Sequence, residues 1–139
     1  MIFTEPLHSL VLAGRKTQTR RPVRASDVWQ PNAYTGEITM VQSRPHYRTR
    51  FYVGHDYAVQ PGRGRRSTGR IRITRLRYIA QAMGISEADA RAEGFETPEQ
   101  FREKWREMHG EIALACPCWA LDFELIRKRE EKDADGTDA

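Results

Sequence analysis

Along the chain, the apolar positions change period several times, and each change marks an element. Over residues 5 to 13, "EPLHSLVLA", Leu7, Leu10 and Val11 fall on one helical face. Pro6 suits a first turn and Gly14 a stop, so the spacing predicts a short helix. "TQTRRPV" then alternates and predicts a strand that Pro22 ends. Residues 27 to 50 are poorly patterned, but "ITMVQ" (38 to 42) and "YRTRFYV" (47 to 53) predict a hairpin with "SRP" in its turn. "DYAVQ" reads as a short strand and "PGRGRR" as a glycine-rich basic loop. "GRIRITRLRYI" (69 to 79) is the clearest strand, with Ile71, Ile73 and Leu76 on the apolar side and arginines on the other.

Two helices follow. Ser86, with Asp89 three residues on, opens the first, and Gly94 closes it after Ala88, Ala90 and Ala92. Thr97 opens the second, with Pro98 at its first position and Gln100 completing a capping box. Its stripe of Phe101, Trp105 and Met108 predicts core, and Gly110 ends it. "CWALDFELI" (118 to 126) predicts a closing strand with Trp119, Leu121, Phe123 and Leu125 on one face. "RKREEKDADGTDA" (127 to 139) has almost no apolar content and predicts a mobile charged tail. The order predicts one α+β domain over 1 to 126, a small barrel of mostly antiparallel strands flanked by helices.

Composition bounds this picture. At 139 residues, 39% of them hydrophobic, the chain is long enough for one core. No apolar run approaches the roughly 20 residues a membrane helix needs. The N-terminal stretch lacks a basic n-region and an A-x-A site, which predicts no signal peptide. Two cysteines one residue apart, Cys116 and Cys118, make no disulfide framework, so a cytoplasmic setting is expected. His109 with these cysteines lacks C-x-x-C spacing, and neither a metal nor another cofactor is expected. The sequence leaves oligomeric state open.

The net charge of +4 is unevenly spread. Residues 1 to 80 carry 15 Lys and Arg against 4 Asp and Glu, whereas 81 to 139 carry 8 against 15. Either a basic face meets phosphates, or basic strands lie beside acidic helices that neutralise them. The densest cluster is "GRKTQTRR" (14 to 21), with Arg15, Lys16, Arg20 and Arg21, and Arg24 just beyond. Arg63, Arg65 and Arg66 in the glycine-rich loop are candidate phosphate clamps, but the loop lacks P-loop spacing. Tyr34, Tyr47, Tyr52 and Tyr57 are candidate base-stacking groups or half-buried strand residues.

With these residues in view, the chain resembles the ASCH superfamily, whose fold is the PUA-like β-barrel. The signature Gly-x-Lys-x-x-(Glu or Thr)-x-Arg after a short helix is matched by Gly14, Lys16, Thr19 and Arg21. "VGHDYAVQPG" and "WALDFEL" resemble two further landmarks, and the likeness covers most of residues 1 to 126. The chain looks most like longer phage and prophage members, with 27 to 50 lacking a counterpart in small ones. One branch consists of small bacterial amidohydrolases that deacetylate N4-acetylcytidine. Their working residues are the signature Lys and Thr and a Glu on the helix after the long strand. By resemblance these are Lys16, Thr19 and Glu93, acting as base, as nucleophile or water-positioning group, and as acid.

Other branches are linked to RNA binding or RNA cleavage. The resemblance therefore implies a modified nucleoside or RNA or DNA as partner, with no membrane. The alternative to hydrolysis is a binding module using Gly14, Arg21, the 63-to-66 loop and the outer arginines of the long strand, Arg70 and Arg72 among them. A ribonuclease is the weaker third option. Chemistry sets one condition. Lys16 must lie in the turn after Gly14, because in a continuous strand Lys16 and Thr19 would face opposite ways. Arg15, Arg20 and Arg21 are then expected to depress the pKa of Lys16.

Overall fold

The computed structural model describes residues 1 to 128; the expected tail lies, from residue 129 on, outside the described residues. The elements are α1 (Leu7–Leu12), β1 (Gln18–Pro22), β2 (Asp27–Trp29), β3 (Met40–Ser43), β4 (Arg48–Tyr52), β5 (Asp56–Val59), β6 (Gly69–Ile79), α2 (Glu87–Ala92), α3 (Pro98–His109), a 3₁₀ turn (Ile112–Ala115) and β7 (Cys118–Lys128). The strands form two antiparallel sheets, of order β1-β7-β6-β5 and β2-β3-β4. Both sheets feed one core, with Val41 and Phe51 from the small sheet packed with Ile73, Leu76, Trp119 and Leu121 from the large one.

The α+β antiparallel reading holds, and so do most of its elements. The β3–β4 hairpin turns through Arg44–Tyr47, as the "SRP" stretch implied. Strand β2, unforeseen, extends the hairpin, with Asp27 opposite Ser43 and Trp29 opposite Val41. Strict alternation would put Leu76 of β6 on the opposite face from Ile71 and Ile73. A bulge between Ile73 and Arg75 resets the phase, so all three are buried. The helix caps form at Ser86 and Thr97, whose side chains accept from Asp89 and Gln100 N–H groups. The Gln100 side chain caps one residue earlier than a capping box requires, accepting from the Glu96 amide. Met108 is a correction: Phe101 and Trp105 are buried, but Met108 is 54% exposed. It lies three residues beyond Trp105, too close to the end of α3 to be covered.

Two helices meet at Gly94, which closes α2 with φ +99°. A Cβ there would sit 3.0 Å from Leu10 Cδ1 and 3.2 Å from Leu7 Cδ2. Gly94→Ala combines a left-handed backbone with crowding against α1. It is expected to destabilise the protein by about 2–4 kcal/mol, read as a lower urea midpoint; an unchanged midpoint would overturn this account of the α1–α2 contact. No helix among the described residues is long and apolar enough to cross a membrane.

Candidate active site

Lys16 meets the condition set by its chemistry. The chain leaves α1 through Gly14 at φ +73°. The Arg15 and Lys16 amides both donate to the Leu10 carbonyl, at 2.9 and 3.1 Å, and β1 begins only at Gln18. Lys16 therefore lies in the turn before the strand. Thr17 fixes the segment from both sides: its amide donates to Ala92 O, and its carbonyl accepts from the Phe123 amide. Lys16 and Thr19 consequently line the same cavity.

The lysine is 2% exposed. Its Nζ lies 2.6 Å from Gln18 O, 2.7 Å from Glu93 O and 2.5 Å from Glu93 Oε2. Glu93 caps the C-terminus of α2, where backbone carbonyls lack helical partners. One residue thus offers Lys16 both a backbone and a side-chain oxygen. An ammonium would donate to all three oxygens. A neutral amine would donate to the two carbonyls and accept from a protonated Glu93, so the proton has a satisfied position on either group.

Burial pushes Lys16 down and Glu93 up, and each group's attraction for the other opposes the shift. Both movements narrow the gap between donor and acceptor. Of the three arginines expected to act on Lys16, Arg21 does so. Arg15 is exposed, and Arg20 turns away to Asp89 at 3.1 Å.

Arg21 is different in kind. Its Nη2 donates to Ile2 O at 3.0 Å, and its guanidinium lies 5.4 Å from the Phe3 ring centre. Its Nε is buried with no partner among the described residues. Burial holds its pKa down, Glu93 opposes this, and Arg50 and Arg24 add to it.

These groups share a cavity of about 300 Å³. Its walls are aromatic: Phe3, Phe95, Phe101 and Trp105. Lys104, Met108 and His109 of α3 also line it, with Ile2 and Thr4 of the N-terminal segment. Glu93 Oε1 is buried with no partner, and the Thr19 hydroxyl is unbonded among the described residues. The sequence reading missed Phe3, Phe95, Lys104 and the wall role of Phe101 and Trp105. Helical periodicity marks an apolar stripe but not whether it faces a core or a cavity. Nothing local marks Phe3.

The opposite face of β1 is structural. Gln18 donates to Asp89 and Asp122, at 3.2 and 3.0 Å, and Arg77 lies within 3.6 Å of both carboxylates. Acidic α2 thus neutralises two arginines of the basic half, Arg20 and Arg77. The other expected binding residues lie elsewhere. Arg63, Arg65 and Arg66 are exposed on the 61-to-68 loop, Arg72 pairs with Asp56 at 2.8 Å, and none of these nor Arg70 lines the cavity. Of the tyrosines, Tyr34 is 98% exposed, Tyr52 stacks on His55, and the Tyr57 hydroxyl accepts from the Tyr52 amide.

Among the described residues no three His, Cys, Asp or Glu side chains cluster as a metal site would require. Cys116 is exposed, whereas burial pushes the Cys118 thiol up to about 11. A disulfide-exchange reagent at about pH 8 is expected to titrate one thiol in the native protein and two after unfolding. Two fast thiols in the native protein would contradict the burial of Cys118.

No family model and no curated protein matches the sequence. Solved structures do. A crystal structure of an Enterococcus faecalis V583 protein, of family-model DUF984, matches with a TM-score of 0.61 and 18% identity, over 96% of this chain and 74% of that one. The ASCH domain from Lactobacillus crispatus JV V101 matches with a TM-score of 0.52 and 19% identity, over 87% of this chain and 70% of that one. At these identities the likeness is one of fold.

Proposed function

We propose that this chain, which has the fold of an ASCH domain, hydrolyses an acyl group from the exocyclic nitrogen of an N4-acetylcytidine-like ligand. One observation carries the reading. A buried Lys16–Glu93 pair and the unbonded Thr19 hydroxyl line a single aromatic cavity, and Glu93 keeps one oxygen unpartnered. The aromatic walls suit a planar heterocycle. Glu93 Oε1 is an acceptor suited to the N–H of an acylamino group.

In the reaction, protonated Glu93 turns its proton from Lys16 toward the leaving nitrogen, and the freed lone pair of neutral Lys16 takes a proton from the Thr19 hydroxyl, or from a water that Thr19 positions. The freed oxygen attacks the acyl carbon. As the tetrahedral adduct collapses, the C–N bond breaks and Glu93 delivers a proton to the departing nitrogen. If Thr19 attacks, water then cleaves the acyl ester. The balance is one amide and one water giving one amine and one carboxylic acid. Proton exchange between Lys16 and Glu93 restores the starting pair.

Incubating the protein with N4-acetylcytidine is expected to release cytidine and acetate in equal amounts. No cytidine at high enzyme concentration would overturn the substrate assignment. A second reading, a nucleic-acid-binding module, is favoured by the exposed arginines of the 61-to-68 loop. It requires affinity for RNA or DNA that falls steeply with salt. Salt-independent binding, or none, removes it.

A further inference from the structure

The cavity lining is cationic. Lys16, Arg20, Arg21 and Lys104 stand against a single carboxylate, Glu93. Glu93 is occupied by Lys16, and Arg20 by Asp89. Among the described residues Lys104 has only a surface contact with Glu107, at 3.5 Å. Arg21 has no carboxylate within ion-pairing distance among the described residues, and its one hydrogen bond goes to a neutral backbone carbonyl. A largely buried guanidinium without a paired carboxylate is costly, and removing charge from water is repaid only by a close partner of opposite sign. The protein supplies more positive charge there instead. The Arg50 guanidinium reaches Pro22 O, one residue beyond Arg21, at 3.1 Å. Arg24, exposed, has no side-chain partner among the described residues. His109, also in the cavity lining, has no hydrogen bond among the described residues and rests on Trp105. The carboxylates that offset this group are both engaged elsewhere, Asp27 by Arg50 at 2.6 Å and Glu93 by Lys16 at 2.5 Å.

We infer that the ligand is itself an anion: a nucleoside bearing a phosphate, its ring between the aromatic walls and its phosphate at Arg21. A guanidinium fork with an unpaired Nε matches phosphate oxygens. An amide carbonyl alone would call for a donor, not for a cavity-lining guanidinium without a paired carboxylate. The cavity's size limits the occupant to about one nucleotide. This inference rests on the nucleoside reading of the cavity, but not on the hydrolytic one.

The test compares cytidine, cytidine 5′-monophosphate and inorganic phosphate by calorimetry. The nucleotide is expected to bind about tenfold or more tightly than cytidine, with the preference shrinking as salt rises. Arg21→Met should abolish the preference. Because that variant disturbs a packed residue, the exposed Arg24→Ala provides the second check, with a preference reduced severalfold at unchanged thermal stability. Equal affinity for nucleoside and nucleotide overturns the inference. So does phosphate binding as tightly alone as within the nucleotide, which would mark a simple anion site. Binding of neither cytidine nor its nucleotide overturns the nucleoside reading as well. Turnover separates the two readings. Tight binding of N4-acetylcytidine 5′-monophosphate without deacetylation would leave the inference standing and remove the hydrolase. Hydrolysis of the nucleoside without any preference for the nucleotide would do the reverse.

Discussion

Lys16→Met is expected to lower N4-acetylcytidine hydrolysis by about 10³–10⁴-fold, the larger part of what a positioned general base contributes. The substitution also has a structural cost. Gln18 O, Glu93 O and Glu93 Oε2 all lose their donor in a buried site. Breaking one side of a buried ion pair costs about 3–5 kcal/mol. Glu93 limits the loss by taking up a proton, since burial already favours its neutral form.

The direction of the pH effect follows. Glu93 in the variant has a folded pKa above its unfolded value. Stability is therefore fully present below the unfolded pKa, in the ordinary carboxylate range, and is lost as pH rises through the folded one. A Lys16→Met/Glu93→Gln protein has no such ionisable pair and should lose this pH dependence. If the double variant regains stability but not activity, the loss lies in the chemistry of the Lys16–Glu93 pair and not in folding. If Lys16→Met turns over substrate at the parent rate, Lys16 is not the base.

Asp27→Ala is expected to cost about 3–5 kcal/mol of stability, without touching the cavity. The Asp27 side chain is fully buried, and its Oδ2 accepts from the Arg50 guanidinium at 2.6 Å, the Arg24 amide at 2.8 Å and the Trp119 indole at 2.9 Å. Three donors from three parts of the chain converge on one atom. Alanine strands a partly buried guanidinium and a buried indole N–H together. Asp27→Asn keeps an oxygen for the indole and amide but loses the charge facing Arg50, so an intermediate loss is expected. Urea unfolding followed by tryptophan emission reads both. A midpoint within error of the parent for Asp27→Ala would mean that the small sheet is held by its apolar contacts alone.

The long strands β6 and β7 and the capped helices α2 and α3 were legible because their signals are local. Alternation, a Ser or Thr cap and a closing glycine each act within a few residues. Strand β2 was not legible. Three residues, Asp27 to Trp29, become a strand because Val41 to Ser43 offer an edge and Asp27 finds Arg50 and Trp119. None of that is visible in the local pattern. The site shows the same division. Gly14 pointed to the turn that frees Lys16 from the strand. The aromatic walls depended on which side of α3 the N-terminal segment occupies, and that is a tertiary fact. The charge asymmetry was partly resolved by a tertiary contact, that of Asp89 with Arg20 and Arg77. It also left an unresolved remainder around Arg21.

The Lys16–Glu93 contact joins residues 77 positions apart, and among the described residues β1 is held in the sheet by β7 alone. A growing polypeptide on the ribosome therefore has no strand to hold Lys16 and Thr19 in place until Cys118–Asp122, the partners of β1, have emerged. The same event ties β7 to α2, because the Gln18 amide donates to both Asp122 and Asp89. Competence should appear in one step once β7 has emerged, and any cut that removes β7 should yield a chain without a site.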